Sequence, residues 1–220
     1  LLGLRGGIEQ FDLAILGIVM SAYFVGFVAG SVLGPAIVNR VGHIRAFAAL
    51  AALGSASVVL HALFVAPAPW IVLRFLTGFC FSGMCMVIES WLNQRAASAD
   101  RATILSFYMG TTFSAAAGGQ LLLNLWAPSG FEPFILVSIL LSLSLVPVAL
   151  TTSPAPPLTR SHPMRIRALF QASPVGVVGC FSTGLLFSSV GGLGAVFAQT
   201  IGMSTFEISI FMMLIVVGGT

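Results

Sequence analysis

Arg74 and Glu89 are the clearest ionisable side chains inside the long apolar runs of this 220-residue chain, and both lie in one run, residues 70–93. Lipid makes such charges expensive, about 2.5–3.5 kcal/mol each at a bilayer centre on insertion scales. A charge kept against that cost needs a partner or a use. A carboxylate can carry a proton or hold an arginine. A guanidinium can hold an anion. The two cannot satisfy each other, because fifteen residues of helix separate them by roughly 22 Å. At 100° per residue, Arg74, Gly78, Ser82, Cys85, Glu89 and Asn93 fall within a sector of about 100°. The rest of the run is mostly Leu, Ile, Val, Phe and Met. So narrow a polar face is expected to point at a cavity or a protein neighbour rather than at lipid.

The elements that position these groups follow from composition. Hydrophobic residues make up 58% of the chain and charged residues 7%, against about 25% charged in soluble domains. The mean hydropathy is +1.07. So few charges cannot cover a water-facing surface, so a lipid bilayer is expected to be the main solvent and partner. All nine basic residues are arginines, eight of them spread over loops, which suits membrane orientation and not nucleic-acid binding. Cys80, Cys85 and Cys180 lie in apolar runs and are expected to be buried thiols. His43, His61 and His162 are not arranged with Cys, Asp or Glu as a metal site. No nucleophile–base pair and no phosphate-binding loop appears. Neither an enzyme nor a cofactor is expected, and energy for any work would come from an ion or solute gradient.

A bilayer core needs about 20 apolar residues per helix. Six segments meet that length, at about 14–38, 46–66, 70–93, 102–126, 133–150 and 174–199, and another begins near Ile208. The fold class is therefore all-α membrane protein. The loops alternate in charge. One set holds Arg40, Arg45, Arg95, Arg101, Arg160, Arg165 and Arg167, with Asp100 as its acid; the other holds Glu9, Asp12, Glu132 and Glu207, with Arg5. The positive-inside rule places the first set, loops 39–45, 94–101 and 151–172, in the cytoplasm. Every span then crosses in alternation. The Pro-rich basic stretch 151–172 reads as a linker between a bundle at 1–150 and the start of a second at 173–220. Trp70 and Trp126 read as outer interface residues and Trp91 as an inner one.

The stretch "GPAIVNRVGHIR", residues 34–45, concentrates scarce polar groups in one turn. Gly34, Pro35 and Gly42 are expected to supply the breaks that reverse the chain. Arg40 and Arg45 suit the anionic inner face of a membrane. Small residues recur every fourth position: Ala22, Gly26, Gly30, Gly34; Gly110, Ser114, Gly118; Gly176, Cys180, Gly184, Ser188, Gly192. Such rows let helix backbones approach closely. Tyr23, Tyr108, Thr112 and Gln120 are candidates to line a cavity, with inter-helix hydrogen bonds as the plainer reading. Glu89 is expected to meet Arg40, Arg45 or Arg101 at the cytoplasmic edge, with proton transfer as its other reading.

The turn "PAIVNRVGHIR" resembles the signature loop of the major facilitator superfamily, roughly G-x-L-A-D-R-x-G-R-R. Arg40 and Gly42 fall on its Arg and second Gly; Asn39 stands where the motif has Asp. "RFLTGFCFSG" resembles the family's R-x-x-x-G helix motif through Arg74 and Gly78. "SAYFVGFVAGS", "NRVGHIR" and "VIESWLN" together look most like its YcaD-like branch. The resemblance implies a chain running from the end of the first helix of that fold into the eighth, and continuing beyond Thr220. It also implies a latch at Gly34, Asn39, Arg40, Gly42 and Arg45, with Arg101 as a cytoplasmic partner. Arg74, Glu89 and Asn93 become coupling candidates. In the family, the helices matching 14–38 and 102–126 face the opposite bundle, where small-residue surfaces would permit rocking. "SAAAGGQLLLN" has no Pro, so the family's antiporter motif is not matched.

The function expected is a secondary active transporter in a bacterial inner membrane, acting as a monomer on a small solute. A non-transporting receptor or scaffold of the same fold is the alternative. A membrane-embedded enzyme would need His or acids clustered at one depth, and the sequence does not place them so.

Overall fold

The computed structural model describes residues 1–97, 100–151 and 166–218, and its regular elements are all helical. In chain order they are α1 (Leu2–Ile8), α2 (Leu13–Val41), α3 (His43–Leu63), α4 (Pro67–Arg95) and α5 (Arg101–Leu121), which ends in a 3₁₀ turn (Leu122–Asn124). Then come α6 (Glu132–Ala149), α7 (Ile166–Ala172), α8 (Pro174–Thr200) and α9 (Thr205–Gly218). Five of them, α2, α3, α4, α6 and α8, are long and apolar enough to cross a membrane. The sequence reading expected six such segments. α5 has the length, but Thr103, Ser106, Thr111, Thr112, Ser114 and Gln120 dilute its apolarity. Arg160, His162 and Arg165 lie outside the described residues. Arg167 is exposed on α7, a short helix within the stretch read as linker.

Local chemistry sets the helix ends. Asp12 caps α2, its carboxylate accepting from the backbone N–H groups of Ala14 and Ile15 at 2.9 and 3.4 Å. Pro67 and Pro174 each open a helix, where a missing N–H costs nothing. A single residue separates α2 from α3. Gly42 has φ 85° and ψ 164°, a region that glycine alone adopts without strain. The expectation that Gly34 and Pro35 also break the chain is corrected here. Both lie inside α2, which continues to Val41. Gly34 serves packing instead: a Cβ there would run into the Met86 methyl of α4.

The first bundle is built on α2 against α4. A Cβ at Gly26 would overlap the Phe75 carbonyl, one at Gly30 the Phe79 carbonyl, and one at Gly78 the Tyr23 carbonyl. Gly26, Gly30 and Gly34 of the α2 row thus meet α4, and the two backbones touch. Around this crossing, Val38, Phe47, Leu50, Cys80, Met84 and Val87 form a core shared by α2, α3 and α4. α6 joins through hydroxyls. Ser55 of α3 lies 2.7 Å from Ser138 and 3.0 Å from Ser142. Such bonds hold helices together where lipid offers no hydrophobic drive.

The second group, α8 and α9, meets the first through α1, α2 and α5, with Leu4 of α1 packed on Ala198, Ile208 and Met212. Leu16 and Met20 of α2 pack on Val196 of α8. α5 lies along α9, where Asn124 donates to Ser209 at 2.7 Å. The small positions of α5 and most of those of α8 are exposed, and nothing lies within 4 Å of a Cβ built at Gly110, Gly118 or Gly184. Cys80 is buried as expected, but Cys85 is only half-buried and Cys180 is exposed on α8. Trp70 is also corrected. It is fully buried, its indole N–H donating to the His61 carbonyl at 3.1 Å and its ring edge-on to Phe11 at 5.1 Å. A buried carbonyl acceptor satisfies the indole better than an interface position would.

Candidate functional site

The site is assembled by the α2–α4 crossing. Gly78 lacks a Cβ, so α2 approaches until its Tyr23 carbonyl touches α4. Tyr23 is then held beside Arg74, one turn before Gly78. The Arg74 guanidinium carbon sits 4.5 Å from the Tyr23 ring centroid, a cation–π contact. Phe24 and Phe27 brace the phenol, with centroids 5.3 and 6.2 Å from it. The Arg74 Nε is buried with no hydrogen-bond partner. Among the described residues no acidic side chain pairs with Arg74.

Arg74 borders a cavity of about 330 Å³. Its walls come from both helix groups. Leu2 and Gly3 of α1, Met20 of α2, His61 of α3, Thr77 of α4, Gln120 of α5 and Phe134 and Val137 of α6 line it, together with Gly192 and Ala195 of α8 and Met212 of α9. His61 is almost fully buried. Its Nδ1 donates to the Ser57 carbonyl at 2.7 Å, and its Nε2 has no partner. Arg74 and His61 thus leave two unpartnered polar atoms on residues of one cavity. Gln120 joins them on the wall; Tyr23 does not line the cavity and touches it only indirectly, by stacking on Arg74.

The other sequence candidates lie elsewhere. Glu89, four turns along α4 from Arg74, accepts a long hydrogen bond from Tyr108 of α5 at 3.4 Å. Among the described residues Glu89 does not form the expected ion pair with Arg40, Arg45 or Arg101. Those three arginines are exposed, and a phenol takes the place of a counter-ion. Asn93 donates to the Glu89 carbonyl in its own helix at 2.9 Å. Thr112 does the same with the Tyr108 carbonyl at 2.8 Å and is exposed, so it lines no part of this cavity. Asn39 and Arg40 are exposed on the last turn of α2, and Arg45 on the first turn of α3, on either side of Gly42. Beside them His43 is buried, 3.2 Å from the Ser90 hydroxyl and edge-on to Trp91 at 5.9 Å.

Sequence reasoning missed His61 and Thr77. His61 carried a usable signal, an ionisable side chain in an otherwise apolar span, which marks a functional site by default. Thr77 carried none, because its hydroxyl bonds back to the Arg74 carbonyl at 3.0 Å, as any helical threonine can.

Comparison with known proteins shows the family. The family model described as Major Facilitator Superfamily matches residues 8–220. The chain is 24% identical over 206 residues to proteins named "Uncharacterized MFS-type transporter YcaD" from Salmonella newport, Salmonella heidelberg and Salmonella schwarzengrund. The alignments cover 93% of this chain and 54% of each relative, so the chain spans about half the length of the curated relatives it matches. No solved structure matches it. With a helical fold, apolar membrane-length spans and a match over almost its whole length, the chain belongs to the Major Facilitator Superfamily and is an integral membrane protein.

Proposed function

We propose that the protein is a secondary active transporter that moves a small solute by alternating access, coupled to an ion or proton gradient. The observation that carries this reading is the cavity itself. It lies where two helix groups meet, and residues from both form its wall. A site at such an interface can be opened to either side by rocking one group against the other. The names of the relatives support transport. The turn 34–45 supplies the latch. Gly42 fixes a sharp reversal, and Arg40 and Arg45 stand exposed where they can meet the opposite group or Glu89 in another conformation. The protein sits in a bacterial inner membrane as a monomer, with the arginine-rich loops inside. The alternation of charge and the Salmonella relatives support that placement.

Labelling tests the reading. In the full-length natural protein, with Cys80, Cys85 and Cys180 replaced by Ser, Thr77→Cys places one thiol in the cavity. Membrane-impermeant maleimide should label it in both right-side-out and inverted vesicles. Labelling from one side alone would favour the receptor or scaffold of the same fold.

A further inference from the structure

We propose that this cavity takes an organic monocarboxylate, with Arg74 as its counter-charge. The inference rests on the transport reading and names the substrate class of that same site.

Among the described residues, Arg74 is the one ionised side chain on the cavity wall, and none of those lining it is an acid. An uncompensated cation away from water is strongly unfavourable, and removing its partner is what makes a buried pair costly. Here the described residues supply no acidic partner. The Tyr23 ring covers one face of the guanidinium. A cation–π contact uses the face and leaves the N–H edge free, and the Nε on that edge has no acceptor. A carboxylate matches that edge in charge and in planar, two-pronged geometry.

The rest of the wall decides between an organic and an inorganic anion. Leu123, Phe134, Val137 and Met212 line the same cavity and are apolar. A bare inorganic anion would lose its water and gain nothing from those side chains. A ligand with one carboxylate and an apolar body matches both Arg74 and the apolar lining. A cationic or zwitterionic solute would bring a positive group to a cavity with no acid to receive it. His61, also on the cavity wall, has a second unpartnered polar atom in Nε2, since Nδ1 is already engaged with Ser57.

The test uses the full-length natural protein purified in detergent, with melting followed by intrinsic fluorescence. The probes are benzoate, its neutral isostere benzamide, and sodium sulfate at matched ionic strength. Benzoate should raise the melting temperature in a saturable way, and benzamide and sulfate should not. Arg74→Gln should weaken benzoate at least about tenfold, as expected for losing a charged hydrogen-bond partner, and Arg74→Lys should weaken it less. Equal responses to benzoate and benzamide, or none to either, would overturn the proposal without any variant. So would undiminished benzoate binding in folded Arg74→Gln. The labelling at position 77 reports separately. Two-sided labelling without a benzoate response sinks the carboxylate and leaves transport standing. One-sided labelling with a benzoate response sinks transport and leaves a carboxylate-binding membrane protein.

Discussion

Gly78 and Tyr23 are locked together backbone to backbone: a single Cβ on the glycine would overlap the tyrosine carbonyl. The cation–π contact of Arg74 with the Tyr23 ring depends on that approach. The R-x-x-x-G pattern therefore has a physical reading in this chain. The glycine makes the gap through which α2 enters, and the arginine one turn earlier meets what α2 brings.

Gly78→Ala is expected to push α2 off α4 and destabilise the protein by about 1–3 kcal/mol, the usual cost of overpacking. Gly110→Ala, where nothing lies within 4 Å of the new Cβ, should stay within about 0.5 kcal/mol. Unfolding of the purified variants in detergent measures both. Equal effects at the two positions would contradict the close crossing.

Tyr23→Phe keeps the ring and should retain the cation–π contact, whereas Tyr23→Leu should lose about 0.5–2 kcal/mol. A double-mutant cycle with Arg74→Gln isolates that energy. Additivity of Tyr23→Leu with Arg74→Gln would show that the ring contributes packing alone.

Gly42→Ala forces a Cβ into a backbone region with φ 85° and ψ 164°. The expected cost is about 1–3 kcal/mol, with transport slowed as the turn between α2 and α3 is displaced. Arg40→Ala should leave protein levels in the membrane unchanged and lower the transport rate. Normal transport in Arg40→Ala would reduce the turn to a topology anchor.

Glu89 is expected to couple weakly to Tyr108, because 3.4 Å is a long hydrogen bond. The Glu89→Gln and Tyr108→Phe cycle should give no more than about 0.5–1.5 kcal/mol. If Glu89 meets Arg40 or Arg101 in another conformation, Glu89→Gln changes the transport rate and leaves gradient dependence intact. Persisting solute exchange with lost accumulation would instead make Glu89 a proton carrier.

Much of the fold was legible because lipid imposes simple demands. Length, apolarity and loop charge located α2, α3, α4, α6 and α8 to within a few residues. Which face of a helix meets protein was less legible. In a lipid-facing chain both faces are apolar, so the row Ala22, Gly26, Gly30, Gly34 could be found but not aimed; the Phe75 and Phe79 carbonyls show where it points. Trp70 looked like an interface residue for the same reason. Its acceptor, the His61 carbonyl, lies across the α3–α4 turn and leaves no trace in the spacing of side chains. Arg74 was found from its cost alone. Its partner was not, because a tyrosine on another helix carries no opposite charge to search for.

The most direct measurement is the distance between the two helix groups at the end bearing the arginines. Val41, on the last turn of α2, and Val175, on the first turn of α8, are exposed and accept spin labels. In the cysteine-replaced full-length protein, pulsed electron resonance between labels at these sites should give two distance populations. Their ratio should shift with pH or with benzoate, as alternating access through the Arg74 cavity requires. A single narrow distance that neither condition moves would contradict the account.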